Sequence, residues 1–280
     1  VTPRVLVIGA AGKTGRAVTR ALVERGVRVR AAVRPGSTSA PYAAERAVPV
    51  AVDLATGLGL DAAMAGVDGV YHLAPNVHPD EVGMARRVAE SAGEAGVSRF
   101  VFHSVLHPHD PAMQHHLRKG EAEELIRVRL PGVTVLRPAA YHQNVLGPAL
   151  DGRIAVPYSL DAPFTNVDLD DVAEVAARVL TEEGHEGHAY DLVGPERQSF
   201  RELAEEASAV LRRRIVAERI SLQEWLAGPG AGLDDERRDA LVAMFEAYDR
   251  EGFADESDDL ALLLGRRPAT WQDVLLRATT

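Results

Sequence analysis

A doubly wound α/β fold, a parallel sheet with helices on both faces, is the class this sequence predicts, and three observations carry it. Apolar runs of strand length alternate with amphipathic stretches of helix length through the first half of the chain. The first apolar run leads straight into a glycine-rich turn. Finally, 280 residues with 46% hydrophobic and 26% charged content suffice for a large core in one or two domains.

The elements follow in order. "RVLVIG" is a strand, and "GRAVTRALVERG" behind it carries the helical period. "VRVRAAV", "AVPVAVDL" and "GVYHLAP" are the next three strands, rich in the β-branched residues that suit a sheet buried on both faces. A helix over "PDEVGMARRVAESAGEAG", a strand "RFVFHS", a helix from Gln114 to Arg129 and a strand "VTVLRP" complete the first half. After Pro138 the pattern loosens. Residues 141–171 are rich in Gly, Pro, Asp and Asn and predict loops and short strands. A helix from Asp170 to Leu180, a strand "HAYDLVG", a helix "SFRELAEEASAVLRR" and then acidic helical segments run to the end. The expected division is residues 1–138 as one α/β domain and 139–280 as a smaller mixed part, with residues near 165–182 returning to the first domain.

Composition removes several functions. Without cysteine there is no disulfide, thiol nucleophile or cysteine-ligated zinc, and a cytoplasmic setting is favoured. A formal net charge of -10 argues against a nucleic-acid binder, which needs clustered Lys and Arg. No apolar run approaches the roughly 20 residues that span a bilayer, and "VTPRVLVIGAAG" enters a strand at once instead of a signal peptide.

The chemistry begins in "VLVIGAAGKTGRAV", where Gly9, Gly12 and Gly15 punctuate a turn from strand to helix, with Lys13 and Thr14 between them. Such a turn brings backbone N–H groups at a helix N-terminus to a pyrophosphate, and side chains there would block the approach. The end of the second strand selects the dinucleotide, because an acid there holds the ribose 2′-hydroxyl of NAD. Here the strand ends in Arg34, with Ser37 close by and no acid between Glu24 and Glu45. A guanidinium matches a 2′-phosphate by charge and by forked geometry, so the expected cofactor is NADP. Asp53 and Leu54 end the third strand, where the carboxylate either accepts from the adenine amino group or is only a helix cap. Leu73, Ala74 and Pro75 would pass beside the adenosine ribose and diphosphate.

"GAAGKTG", "AAVRP", "VDL", "RFVFHSV", "HHLRKGEAEELI" and "VTVLRPAAYHQN" together resemble the NmrA-like branch of atypical short-chain dehydrogenase/reductases. "FTNVDLDDVAEVAARVL" and "YDLVGPERQSFRELAEEAS" extend the resemblance to about residue 220. It implies a Rossmann domain, NADP-type binding and a smaller C-terminal substrate part. That family includes redox-sensing regulators as well as reductases of quinones and of phenylpropanoid-type enones or ethers, so the resemblance alone leaves catalysis open.

The broader superfamily pairs a Ser after the fifth strand with Tyr-x-x-x-Lys on the next helix. Ser104 and Lys119 match the first and last of these, and His115 stands at the tyrosine position. A spacing of four keeps His115 and Lys119 on one helix face, and an imidazole exchanges protons near neutral pH. Tyr141 and Asn144, in "AAYHQN", fall where the resemblance puts the nicotinamide end; Tyr141 is either a second source of a phenol or a pocket wall. The histidine-rich stretch from His103 to His116 does not read as a metal site, since adjacent His115 and His116 diverge by about 100° on a helix. Trp225, Met244, Phe245, Tyr248 and Phe253 read as the small domain's core or as an apolar substrate wall.

The expected function is NADP(H)-dependent reduction of a hydrophobic quinone, enone or other aromatic small molecule. Its rivals are an NADP-sensing regulator of a protein partner and a biosynthetic isomerase or cyclase on the same fold.

Overall fold

The computed structural model describes residues 2–37 and 46–279. The first half runs β1 (Arg4–Ile8), α1 (Lys13–Glu24), β2 (Arg28–Val33), β3 (Val48–Ala51), α2 (Leu60–Met64), β4 (Gly69–His72), α3 (Glu81–Glu94), β5 (Arg99–His103), α4 (Gln114–Arg129) and β6 (Thr134–Pro138). Beyond it come α5 (Gln143–Asp151), β7 (Arg153–Val156), α6 (Leu169–Thr181), β8 (Ala189–Leu192), α7 (Phe200–Leu211), β9 (Val216–Arg219), α8 (Leu222–Ala227), α9 (Asp235–Glu251), α10 (Asp259–Leu264) and α11 (Trp271–Thr279).

A seven-stranded sheet takes the order β3-β2-β1-β4-β5-β6-β8, and its strands from β3 to β6 pair in parallel. Because the chain order reverses at β1, between β2 and β4, the crevice at the C-terminal ends of these strands is the place such a sheet offers a ligand. This is the doubly wound α/β fold that the alternating pattern predicts. Register sets the two faces. Ile8 lies opposite His72 and His72 opposite Phe102, so Leu6, Ile8, Val70, Phe100 and Phe102 pack on one side with Met64, Val88 and Ile126. Val7, Tyr71 and Val101 alternate to the other face.

The chain divides into two compact units. One holds Val1–His109, His116–Arg137 and Val172–Tyr190; the other holds Asp110–His115, Pro138–Asp171 and Asp191–Thr280. Within the second, β7 and β9 pair in parallel, Arg153 opposite Val216. An aromatic core gathers Tyr158, Phe164, Phe200, Phe245, Tyr248 and Phe253, with ring centroids 5.0–5.8 Å apart. Phe245, Tyr248 and Phe253 are thus core residues of that unit, and Trp225 packs edge-on to Phe245. The last helix is anchored by Trp271, fully buried, whose indole N–H donates to the Leu203 carbonyl at 3.0 Å. Arg277 and Arg266 tie the same tail to Asp168 and Asp171.

The structure departs from expectation at residues 143–151, which form α5 instead of loop. Gly147 and Pro148 read as breakers, yet Val145 and Ala149, four apart, are both buried on one helix face. Packing of that face outweighs local propensity. Among the described residues no helix is long and apolar enough to cross a membrane.

Candidate active site

Two of the three loop glycines are demanded by the fold itself. Gly9 has φ +81°, and a Cβ there would stand 2.6 Å from the Leu73 carbonyl oxygen at the end of β4. At Gly15 a Cβ would stand 2.1 Å from the Gly9 carbonyl oxygen, so strand and helix can approach only without it. Gly12 is different. A Cβ there meets nothing nearer than the Gly9 oxygen at 3.5 Å, an ordinary contact, and the residue is exposed. No intramolecular demand keeps Gly12 small, which fits a cradle reserved for a ligand. Gly12 is also the N-cap of α1, whose first turn has neither a side-chain cap nor an acid. The N–H groups and dipole of that turn favour an anion. Beside them Thr14 is buried, and partial burial lowers the pKa of the Lys13 ammonium. The loop therefore fits a dinucleotide pyrophosphate.

Arg34 directly follows β2 and is exposed, at the start of a turn in which the Ser37 N–H donates to its carbonyl at 3.0 Å. Asp53 is committed to its own turn. Its carboxylate accepts from the Thr56 hydroxyl and the Ala55 N–H, both at 2.9 Å, and these bonds hold it below the usual carboxylate range. The next carbonyl, that of Leu54, accepts from Arg87. After β4, Leu73 supplies the carbonyl against Gly9, Ala74 is buried and Pro75 is exposed.

Lys119 reaches from α4 to the end of β5, where its ammonium donates to the His103 carbonyl at 3.1 Å, pairs with Glu81 of α3 at 2.9 Å and lies 5.3 Å over the Phe102 ring. Two buried imidazoles flank it. Burial, and then the charge of Lys119, lower the pKa of both His72 and His103 to about 3, so both rings are neutral near pH 7. His103 Nδ1 shares a 2.5 Å hydrogen bond with the Tyr71 hydroxyl on the other face of the sheet. Ser104, next along, is buried and donates to Glu123 at 2.5 Å. Glu123 is fully buried and clasped by both Nε and Nη2 of Arg137 from β6.

The first unit thus assembles the glycine loop with Leu73, and Lys119 with the end of β5, while Ser104 faces the Glu123–Arg137 pair. His115, half-buried, stands one helical turn before Lys119 on α4. Tyr141 and Asn144 belong to the second unit, where the Asn144 N–H donates to the Tyr141 carbonyl at 2.9 Å and Tyr141 bridges to Val167. His116 is buried with Nδ1 3.2 Å from the His107 carbonyl, and His109 is exposed. Among the described residues no three His, Asp or Glu side chains gather as for a metal ion.

Glu81, His72, Tyr71 and Glu123 are the residues that sequence reasoning misses. An acid at the first position of a helix reads as a dipole partner, and nothing local tells it from a buried ion-pair member. Arg137 did carry a signal, since a charge inside the strand "VTVLRP" requires a buried partner.

The profile of the NmrA-like family matches residues 2–263. The chain belongs to the NmrA-like family. The match runs well past residue 220, into the acidic helices of the tail. Among its relatives, the NAD(P)H azoreductase of Xenophilus azovorans is 29% identical over 275 residues, 96% of each chain. The (4-alkanoyl-5-oxo-2,5-dihydrofuran-3-yl)methyl phosphate reductase of Streptomyces griseus is 32% identical over 262 residues, 91% of this chain and 86% of that one. The crystal structure of the Escherichia coli NADPH-dependent quinone oxidoreductase complexed with NADPH has the same fold, with a TM-score of 0.82 at 23% identity over 99% of this chain and 100% of that one.

Proposed function

We propose that this member of the NmrA-like family is an NADP(H)-dependent oxidoreductase that reduces quinone- or dye-type aromatic small molecules. The observation that carries it is the uncapped, acid-free N-terminus of α1 behind Gly12, followed by Arg34 where an NAD site has an acid. The names of its reductase relatives support the same reaction class.

In this reading Gly9, Gly12, Lys13, Thr14 and Gly15 hold the diphosphate, and Arg34 and Ser37 bind the 2′-phosphate. Asp53, Leu54, Leu73, Ala74 and Pro75 line the adenosine half. Ser104, Lys119, Tyr141 and Asn144 serve the nicotinamide half, as the family resemblance assigns them. Bound NADPH supplies a hydride. Lys119 offers an N–H to the bound ligand, and His115, Tyr141 or water delivers a proton where the product needs one. A quinone asks little of that donor, because its reduced oxygens are weakly basic. The unit of Val1–His109, His116–Arg137 and Val172–Tyr190 acts as the cofactor domain, and the other unit carries substrate contacts. The setting is cytoplasmic.

The test is NADPH oxidation against a panel of quinones, azo dyes and enones, run beside a cofactor-binding titration. Turnover of at least one class with NADPH preferred to NADH is expected. Tight NADPH binding without turnover of any acceptor would replace the reductase reading with a sensor.

A further inference from the structure

Glu81 opens α3 with its side chain 3% exposed, and a carboxylate that deep is costly unless it is paired. Its partner is the Lys119 ammonium at 2.9 Å. Buried ion pairs add little net stability compared with apolar residues of the same volume, so stability alone does not account for this one. The surroundings show what it does instead. Lys119 is held by three groups on two different elements: the Glu81 carboxylate on α3, and the His103 carbonyl and the Phe102 ring on β5. His72 from β4 and His103 from β5 are the ionisable rings that its charge reaches, and both are neutral near pH 7. Glu81 is accordingly the anion of the cluster. The ammonium donates one N–H to the His103 carbonyl, and the buried Glu81 Oε1, which accepts no hydrogen bond among the described residues, holds it by charge at 2.9 Å.

We propose that Glu81 is a positioning residue for the reductase reaction, fixing Lys119 so that its ammonium is held in a set place for the bound ligand. The inference rests on the reading of the chain as an NADP(H)-dependent reductase. Without the carboxylate, a four-carbon side chain with free rotors would be directed only by a neutral carbonyl and a ring face.

The test is a double-mutant cycle on the full chain with Glu81→Gln, Lys119→Met and the pair together, reading the NADPH dissociation constant by fluorescence titration and kcat and KM with 1,4-naphthoquinone. Glu81→Gln keeps an acceptor and drops the charge. It is expected to weaken NADPH binding by about ten-fold and to lower kcat by a similar factor, with KM for the quinone unchanged. In the Lys119→Met background the same change is expected to cost less than about two-fold, because the group it acts through is gone. Glu81→Asp, which keeps the charge, should restore most of the loss, and Glu81→Met, uncharged and of similar volume, replaces Glu81→Gln in the cycle if that variant does not fold. Effects that multiply across the cycle would overturn the proposal, and so would wild-type affinity and turnover in Glu81→Gln. A wild-type protein that binds NADPH but reduces no acceptor would instead sink the reductase reading, and the binding arm of the cycle would still decide the role of Glu81.

Discussion

A Cβ on Gly15 would stand 2.1 Å from the Gly9 carbonyl oxygen, whereas one on Gly12 would meet the same oxygen at 3.5 Å. The two positions therefore separate folding from binding. Gly15→Ala must push β1 away from α1 and is expected to lower the melting temperature sharply. Gly12→Ala is expected to leave the melting temperature within a few degrees of wild type while NADPH affinity falls by at least about ten-fold. Unchanged NADPH affinity in folded Gly12→Ala would mean that the loop is only a tight turn.

Arg34 supplies the second prediction. A charge-assisted hydrogen bond contributes about 1.5–3 kcal/mol, or roughly 10- to 150-fold in affinity. Arg34→Ala should cost NADPH binding by that factor and leave NADH nearly untouched. Equal losses for the two cofactors in parallel titrations would remove Arg34 from the 2′-phosphate.

The third concerns Ser104, whose hydroxyl is spent on Glu123 at 2.5 Å. Ser104→Ala should cost about 1 kcal/mol in urea unfolding, the loss of one buried hydrogen bond. Arg137→Met is the sharper test. It strips the two-pronged partner from a fully buried carboxylate and leaves Arg127 3.5 Å away, so a loss on the order of 3 kcal/mol is expected. If Ser104 also serves the nicotinamide half, Ser104→Ala should lower turnover beyond that loss of stability, and unchanged turnover in the folded variant would leave the hydroxyl to Glu123 alone.

Acid stability follows from the buried histidines. His72 and His103 are lowered to about 3, and His142, stacked on Trp271, to about 4, in each case chiefly by burial. An unfolded histidine titrates near ~6.5, so below that pH the unfolded chain takes up protons that the folded chain refuses. Stability from these groups is present above pH ~6.5 and is lost as pH falls toward 3, by up to about 1.4 kcal/mol per pH unit for each ring. His72→Phe, which keeps an aromatic ring between Phe100 and Phe102, should flatten the slope between pH 6 and 4. An identical slope in urea titrations of the two proteins would show that His72 is already protonated in the fold.

What could be read from the sequence was what the backbone demands locally. The strand, glycine turn and helix of residues 4–24, and the absence of an acid after β2, are visible because each lies within one short segment. The parallel order follows from the alternation of strand and helix. Glu81 and Lys119 lie 38 positions apart, and only folding brings them to 2.9 Å. Likewise "HHLRKGEAEEL" holds three glutamates, and only the register of α4 against Arg137 buries Glu123 and leaves Glu124 exposed. Residues 143–151 look like loop because Gly147 and Pro148 dominate the local pattern, while the burial that makes them helical comes from outside the segment.

The last prediction takes up the five histidines from His103 to His116. Their environments now differ one by one: His103 is bonded to Tyr71, His116 is buried beside the His107 carbonyl, His107 has a left-handed φ of +54°, and His109 is exposed. With no three acidic or imidazole groups converging among the described residues, chelators should leave activity unchanged and purified protein should carry no stoichiometric zinc, iron or nickel. His109→Ala should be nearly silent, as exposed side chains usually are, whereas His116→Ala should destabilise by removing a buried ring. His115 is the one member whose place on α4, one turn before Lys119, gives it a chemical role to test. His115→Phe should leave NADPH affinity near wild type. A large fall in ketone or enone reduction with quinone reduction spared would mark the imidazole as the proton donor, because only the former acceptors generate a strongly basic product atom. A small and equal effect on both would make it a wall of the site. One equivalent of bound metal, lost together with activity in a His107/His115 double variant, would overturn this account of the cluster.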